Sequence, residues 1–393
     1  MFVLVAAAAI VAVAFASPRA RLAKLLRSSD TQAPHVAGAS STPVHVSFTY
    51  NGQTRTYWLY KPTSVKRSPA LVVDIPGQGF PDEGVPPWEQ LSDQDGFLVA
   101  FPEPKSTWSD AEKAYVGGVI DDVITKQGAD RRRVYLTGGS AGGTEAYAVA
   151  CSPTGDKIAG VGGIFAAIVT PSPGPAGIQQ ACSPPHPLTI VEVHGTADSF
   201  VPYNGRACQV SKDSGKTVCL PSQLELMQFW AKVDGCNPAP ATMTSGRLRI
   251  DVWASCSGGT GVELNSVAGA DHNIQAVTVN GVTPFARIWS FFKAHGAASI
   301  TLRGSIVSGR VVGRGAKRKL VVVVDVNAPY TAQVTLKRGS TTAASKTFTK
   351  PAGKTTLLLA VRPATKRATY VLGVSVRTTL GQLALKRTMK VPS

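Results

Sequence analysis

Arg132-Arg133-Val134-Tyr135-Leu136-Thr137-Gly138-Gly139-Ser140-Ala141-Gly142-Gly143-Thr144 changes character twice. It reads as a short β-strand, then a sharp turn, then a helix that starts near Ala141. The turn contains G-x-S-x-G. A serine at the tip of a tight strand-to-helix turn has a strained backbone and an exposed Oγ. Side chains two residues to either side would collide, so glycine is required at 138 and 142. The N–H of Ala141 points to where an oxyanion would form. A plain glycine-rich turn can carry the same letters. What separates the two readings is whether an acid and a base follow in the right order.

Outward from this turn the chain alternates strands and helices. Val44 to Tyr60 alternates apolar and polar residues around Asn51-Gly52, the signature of an antiparallel hairpin. Ala70-Leu71-Val72-Val73-Asp74-Ile75 is a buried strand running into Pro76-Gly77-Gln78-Gly79. Trp88 to Asp95 reads as a helix, Phe97 to Phe101 as a second buried strand, and Asp110 to Lys126 as a helix with Asp110 as its N-cap. Further strands are expected at Ile158 to Val169, Leu188 to His194 and Leu248 to Ala254. Leu226, Phe229, Trp230 and Val233 form the apolar stripe of one helix. Phe285, Ile288, Trp289 and Phe292 form that of a last helix capped by Thr283-Pro284. Such an order implies a mostly parallel sheet covered on both faces, with ligands at the carboxyl ends of its strands.

After Gly296 no helical pattern remains. Strand-like runs recur at Ser305–Val312, Lys319–Val326, Thr331–Arg338, Thr355–Arg362, Thr369–Arg377 and Gln382–Lys390, which reads as a small immunoglobulin-like β-sandwich. The charge divides at the same place. The whole chain carries +17, and Ser299 to Ser393 alone holds nine Lys, nine Arg and the single acid Asp325. Such a basic module suits an anionic cell-wall polymer or another anionic surface. No specific nucleic-acid partner is expected. A solvated basic face with no partner fits the same composition.

Phe2 to Ala16 is almost wholly apolar and ends in Ala14-Phe15-Ala16, an A-x-A-like cleavage site, so residues 1–17 read as a signal peptide. The basic residues follow the apolar run rather than precede it, so an uncleaved anchor is the other reading. Either one exports the rest of the chain. Residues 18–43 read as a flexible spacer, 44–297 as the α/β unit and 298–393 as the basic sandwich. The six cysteines, Cys151, Cys182, Cys208, Cys219, Cys236 and Cys256, are even in number and lack C-x-x-C spacing. Disulfides are therefore expected rather than a metal site. Six cysteines allow fifteen pairings; nearest-neighbour pairing is the expectation.

An elbow serine needs a base and an orienting acid. Val191-Glu192-Val193-His194-Gly195-Thr196-Ala197-Asp198 puts an acid just past a strand end. Gly269-Ala270-Asp271-His272-Asn273 puts a histidine in a small-residue loop before the last helix. His35 and His45 precede the elbow, His186 lies in a Pro-rich loop, His194 ends a strand and braces the acid loop, and His295 ends a helix. Elimination leaves His272 as the base. Glu192 and Asp271 are rival acids. The first sits within a strand and the second is too close in sequence to His272, so Asp198 is favoured.

The elbow Val134 to Gly143, Arg55-Thr56-Tyr57, Gly96-Phe97 through Pro102-Glu103-Pro104, and His194-Gly195-Thr196-Ala197-Asp198 with Val201-Pro202-Tyr203 together resemble the secreted polyhydroxybutyrate-depolymerase-like and feruloyl-esterase-like α/β-hydrolases. Cys236 and Cys256 match paired cysteines common there. The resemblance covers about Val44 to His295. It implies an α/β-hydrolase fold, a Ser140–Asp198–His272 triad, and oxyanion donors at the backbone N–H groups of Gln78 and Ala141. It also implies ester hydrolysis without a cofactor or metal, acting on hydroxyalkanoate polyesters or on acyl and feruloyl esters of polysaccharide. Two departures stand out. Pro76-Gly77 occupies the place of His-Gly, and Asn273-Ile274-Gln275 follows the histidine in place of an aromatic–proline pair. The Pro76 departure motivates an alternative, a catalytically inactive scaffold that binds a surface through its basic sandwich.

Overall fold

The computed structural model describes residues 42–77, 85–105, 108–211, 215–295, 304–313, 317–326, 330–350, 353–362, 365–378 and 381–391. The expected signal segment and most of the spacer lie outside these residues.

The chain opens with β1 (Val44–Tyr50) and β2 (Gln53–Tyr60), paired antiparallel through Asn51 and Gly52. Both turn residues have positive φ, 49° and 76°, the twist that a two-residue hairpin requires. The chain continues through β3 (Leu71–Ile75), α1 (Pro86–Asp95), β4 (Leu98–Pro102) and α2 (Asp110–Gln127). Ser109, not Asp110, occupies the N-cap position of α2, which makes Asp110 its first helical residue. Next come β5 (Val134–Gly139), α3 (Ala141–Ala150), β6 (Gly160–Ile164), α4 (Gly174–Ala181) and β7 (Thr189–Gly195). The strand expected over 158–169 is shorter than its apolar run, because Phe165 turns the chain out of the sheet at φ 56°.

A two-stranded hairpin, β8 (Arg206–Val210) and β9 (Thr217–Leu220), precedes α5 (Gln223–Val233). Then follow β10 (Ala241–Ser245), β11 (Leu248–Trp253), β12 (Val262–Val267), the single turn α6 (Ile274–Val277) and α7 (Pro284–Ala294). Helix α5 starts with a full capping box between Ser222 and Glu225, and α7 with Thr283 accepting from Ala286 N–H.

Ten strands form one sheet in the order β1-β2-β4-β3-β5-β6-β7-β12-β11-β10. The six central strands, β4 to β12 in that order, run parallel, and both flanks are antiparallel. This is the α/β-hydrolase arrangement. Alternation along β3 sends Leu71, Val73 and Ile75 into the core that includes Tyr115 of α2, Tyr147 of α3 and Trp230 of α5. Val72 goes to the opposite core, with Trp88 of α1 and Phe285 and Phe292 of α7.

The C-terminal part is all antiparallel. It comprises β13 (Gly304–Val312), β14 (Lys319–Val326), β15 (Tyr330–Arg338), β16 (Thr341–Lys350), β17 (Gly353–Ala360), β18 (Ala368–Thr378) and β19 (Gly381–Val391). Sheets β13-β14-β17 and β16-β15-β18-β19 share one apolar core, a sandwich of immunoglobulin-like strand order. β16 escaped the sequence reading because Thr341-Thr342-Ala343-Ala344-Ser345-Lys346 offers small and polar residues instead of an apolar alternation. Its pairing along β15 makes it a strand.

Candidate active site

Ser140 sits between β5 and α3 at φ 54°, ψ −121°, and its N–H donates to Ile164 O at 2.8 Å. The two elbow glycines are sterically required. A Cβ on Gly138 would lie 2.5 Å from the Gly142 carbonyl carbon, and one on Gly142 would lie 2.0 Å from Ile75 O. The elbow is therefore pressed directly onto the end of β3. Ala141 opens α3, where the first N–H groups have no intrahelical acceptor and remain available to an anion.

The chain segment after β7 brings in Asp198, and the one after β12 brings in His272. His272 Nδ1 lies 2.8 Å from Asp198 Oδ2, across 74 residues of sequence. Asp198 Oδ1 accepts the N–H groups of Phe200 (2.9 Å) and Val201 (2.8 Å), which orients the carboxylate. Burial works to raise the Asp198 carboxyl. Hydrogen bonds from His194 and His272 outweigh it and hold the group well below the usual carboxylate range. An ionised Asp198 can only accept, so the hydrogen bond places a proton on Nδ1 of His272. Phe165 and Phe200 rings pack on the imidazole at 4.8 and 5.3 Å between centroids.

Ser140 and His272 line one cavity of about 370 Å³, walled mainly by apolar side chains that include Phe101, Phe165 and Phe285. Pro76 and Gly77 lie on its rim. Gln78, the other expected oxyanion donor, is outside the described residues. Trp108 Nε1 donates to Pro76 O at 2.9 Å, so the loop end is braced from α2's approach.

The rival acids hold other positions. Asp271 accepts from Ser199 N–H (2.9 Å), Ser199 Oγ (3.0 Å) and the His272 N–H (2.8 Å), which ties the base loop to the acid loop. Glu192 is fully buried on β7. It accepts from Ala166 N–H (2.9 Å) and Tyr147 OH (2.9 Å), and its Oε1 lies 3.0 Å from His194 Nδ1. His194 Nε2 in turn lies 2.8 Å from Val201 O and 3.3 Å from Asp198 Oδ2. Burial would lower the His194 pKa, but bonds to Asp198 and Glu192 raise it to about 9. A buried Glu192–His194–Asp198 chain thus backs the imidazole. Sequence reading found the brace at His194 but not its continuation to Glu192 and Tyr147, which depends on how α3 packs on β7.

Cys151–Cys182, Cys208–Cys219 and Cys236–Cys256 are disulfides, as the nearest-neighbour expectation has it. The second closes the β8–β9 hairpin just after the acid loop. Among the described residues no His, Cys, Asp or Glu cluster suits a metal ion, and no helix is long and apolar enough to cross a membrane.

No family model matches the chain. Feruloyl esterase B of Piromyces equi is 26% identical over 234 residues, covering 53% of this chain and 40% of that protein. The bifunctional acetylxylan esterase/xylanase XynS20E of Neocallimastix patriciarum is 25% identical over 248 residues, covering 61% of this chain and 34% of that protein. The chain thus spans less than half the length of either curated relative. Among solved structures, the acetyl xylan esterase from Aspergillus awamori aligns with a TM-score of 0.45 at 19% identity, over 65% of this chain and 100% of that one.

Proposed function

We propose that this chain is an exported serine esterase that cleaves acyl esters carried on a polysaccharide, with Ser140 as nucleophile, His272 as base and Asp198 as its orienting acid. The observation that carries the reading is the strained elbow serine sharing a cavity with an imidazole whose Nδ1 is held 2.8 Å from a buried carboxylate. Curated relatives named as feruloyl and acetylxylan esterases support the reaction class. The apolar N-terminal run and three disulfides support export. We assign residues 44–297 to the catalytic unit and 298–393 to the sandwich, whose excess of basic residues would hold the enzyme near an anionic polymer.

His272 Nε2 takes the Ser140 hydroxyl proton as Oγ attacks the ester carbonyl. The resulting oxyanion accepts the N–H of Ala141; the family resemblance implies a second donor at Gln78, which lies outside the described residues. Collapse expels the alcohol, which receives the proton from His272. Water, deprotonated by His272, then releases the acid from the acyl-serine. Asp198 holds the tautomer and stabilises the imidazolium throughout. This sequence of steps requires neither metal nor cofactor.

Ser140→Ala should lower p-nitrophenyl acetate hydrolysis at least about 10⁴-fold, and a fluorophosphonate probe should label the native protein but not that variant. Equal hydrolysis by the variant would remove Ser140 as nucleophile. A folded native protein that the probe fails to label would favour the inactive-scaffold alternative.

A further inference from the structure

The end of the sandwich where β14 begins holds a cavity of about 380 Å³, within the size range of small-ligand sites. Three chain segments meet there. Arg338 and Thr341 are paired across the β15–β16 turn, Arg362 N–H donates to Ala343 O at 2.9 Å, and Val361 N–H donates to Arg318 O at 3.1 Å. The chain leaving β17 is thus fastened to both sheets. Further along it, Arg318 Nη1 donates to Thr365 O at 2.8 Å and Tyr370 OH to Lys366 O at 3.1 Å.

The cavity is lined by cations and hydroxyls. Arg338, Arg362 and Lys366 supply three charges, and among the described residues no carboxylate lines it. The single acid of residues 299–393, Asp325, lies six residues beyond Lys319 on β14, about 20 Å away at the rise of a strand. Arg318, 6% exposed and bonded to Thr365 O, adds a fourth positive charge behind the wall. Like charges gathered without a counter-charge repel one another, and a bound anion removes that cost. The chain enters the sandwich at Gly304, paired with Val326, so the cavity is at the end of β14 away from that entry.

We infer that this cavity binds an acidic sugar, whose carboxylate or sulfate is held by Arg338, Arg362 and Lys366 and whose ring hydroxyls bond Thr341 and Thr342. The inference rests on, and deepens, the reading of the sandwich as the part that holds the enzyme near an anionic polymer: it places that contact in one site. The planar guanidinium fork matches the paired oxygens of carboxylate and sulfate. A threonine hydroxyl both donates and accepts, which suits sugar hydroxyls. Single-stranded nucleic acid would need an exposed aromatic face for its bases. Tyr370, the one ring among the described lining residues, is 5% exposed.

The test is calorimetric titration of the full chain at about 0.15 M NaCl with trigalacturonate, a glucose sulfate ester, neutral maltotriose and a thymidine hexanucleotide. The native protein should bind one or both acidic sugars and not maltotriose, and the better ligand tells carboxylate from sulfate. Arg338→Ala with Arg362→Ala should weaken that binding at least about tenfold. Lys354→Ala with Arg377→Ala removes the same charge from exposed positions at the other end of the sandwich and should weaken it less than about twofold. Thr341→Val with Thr342→Val leaves the charge unchanged and keeps β-branched residues in the strand; it should weaken binding about two- to tenfold, and it serves if the arginine variant does not fold. Equal losses in the two cation variants, undiminished binding in the threonine variant, or binding of the hexanucleotide alone overturns the inference. Electrophoresis through a gel containing polygalacturonate separates this inference from the reading it rests on. Native protein that the polymer retards but that binds neither sugar in solution overturns the cavity alone; no retardation and no binding overturn both.

Discussion

The ten-stranded sheet region, residues 44–295, and the sandwich, residues 304–391, handle polar groups in opposite ways. In the first, Asp74, Glu192, His194, Asp198, Asp234 and Glu263 are all buried. In the sandwich, among the described residues, Arg318 is the one buried charged side chain. Backbone strain divides likewise. Every described non-glycine residue with positive φ, Ser140 and Phe165 among them, lies in the first region. All three disulfides lie there too. The sandwich keeps apolar residues in and cations out, and its basic residues are overwhelmingly on the surface. A fold that only has to be stable and present a charged surface needs no buried ionisable groups. The ten-stranded region holds such groups, and it tolerates the local cost because the rest of the sheet over-determines the geometry.

Four changes would break or sharpen this contrast. The largest effect is expected from Asp198→Asn, which should lower kcat for a p-nitrophenyl ester about 10⁴-fold while the circular dichroism spectrum stays native. A loss under tenfold would mean that the buried chain behind His272 is structural only.

Next, calorimetry of the native protein should show two unfolding transitions. A reductant should lower only the one belonging to residues 44–295, with each disulfide contributing about 2–4 kcal/mol. A single transition that shifts as a whole would join the two regions into one cooperative unit.

Third, burial raises the Asp74 pKa against the lowering bond from Thr137, and the shift has a definite sign. An ordinary carboxyl at 3.8 is shifted to about 6, so between those values the native state keeps a proton that the unfolded chain releases. Stability therefore falls as pH rises through that window, by up to about 3 kcal/mol. Asp74→Asn should be more stable than native protein by up to that amount at pH 8 and no more stable at pH 3, measured by urea unfolding. Equal stability at both pH values would mean that the carboxyl is already solvated through the cavity.

The smallest expected effect lies in the sandwich. Lys386 and Lys390 are exposed on β19. Changing both to Glu should leave unfolding free energy within about 0.5 kcal/mol and lower the salt concentration that elutes the protein from a sulfated-polymer column. Unchanged elution would place the charge-bearing contact elsewhere on the sandwich.

Legibility in the sequence followed the same division. The elbow was legible because its requirements are local: Gly138 and Gly142 are demanded by backbone contacts within a few residues and the end of one strand. The hairpin at Asn51-Gly52 and the helix at Thr283-Pro284 were legible for the same kind of reason. Strand β12, which delivers His272, was not read. Glu263, Asn265 and Ser266 interrupt its apolar pattern although all three are buried. Asp74 was read only as part of a buried strand, since nothing local distinguishes a carboxyl in a core from one lining a cavity.

By itself the sequence determined the chemistry available: a serine in a glycine-flanked turn, an acid and a histidine in order, an even set of six cysteines, and a basic C-terminal quarter. These are local or compositional properties, set by backbone sterics and side-chain type. The tertiary structure decided which groups meet. Asp198 and His272 come to 2.8 Å across 74 residues, and Asp74 stands opposite Thr137, because parallel β7 and β12, and β3 and β5, hydrogen-bond in one register. Strand register is a collective property of the sheet, set by the burial of both its faces at once.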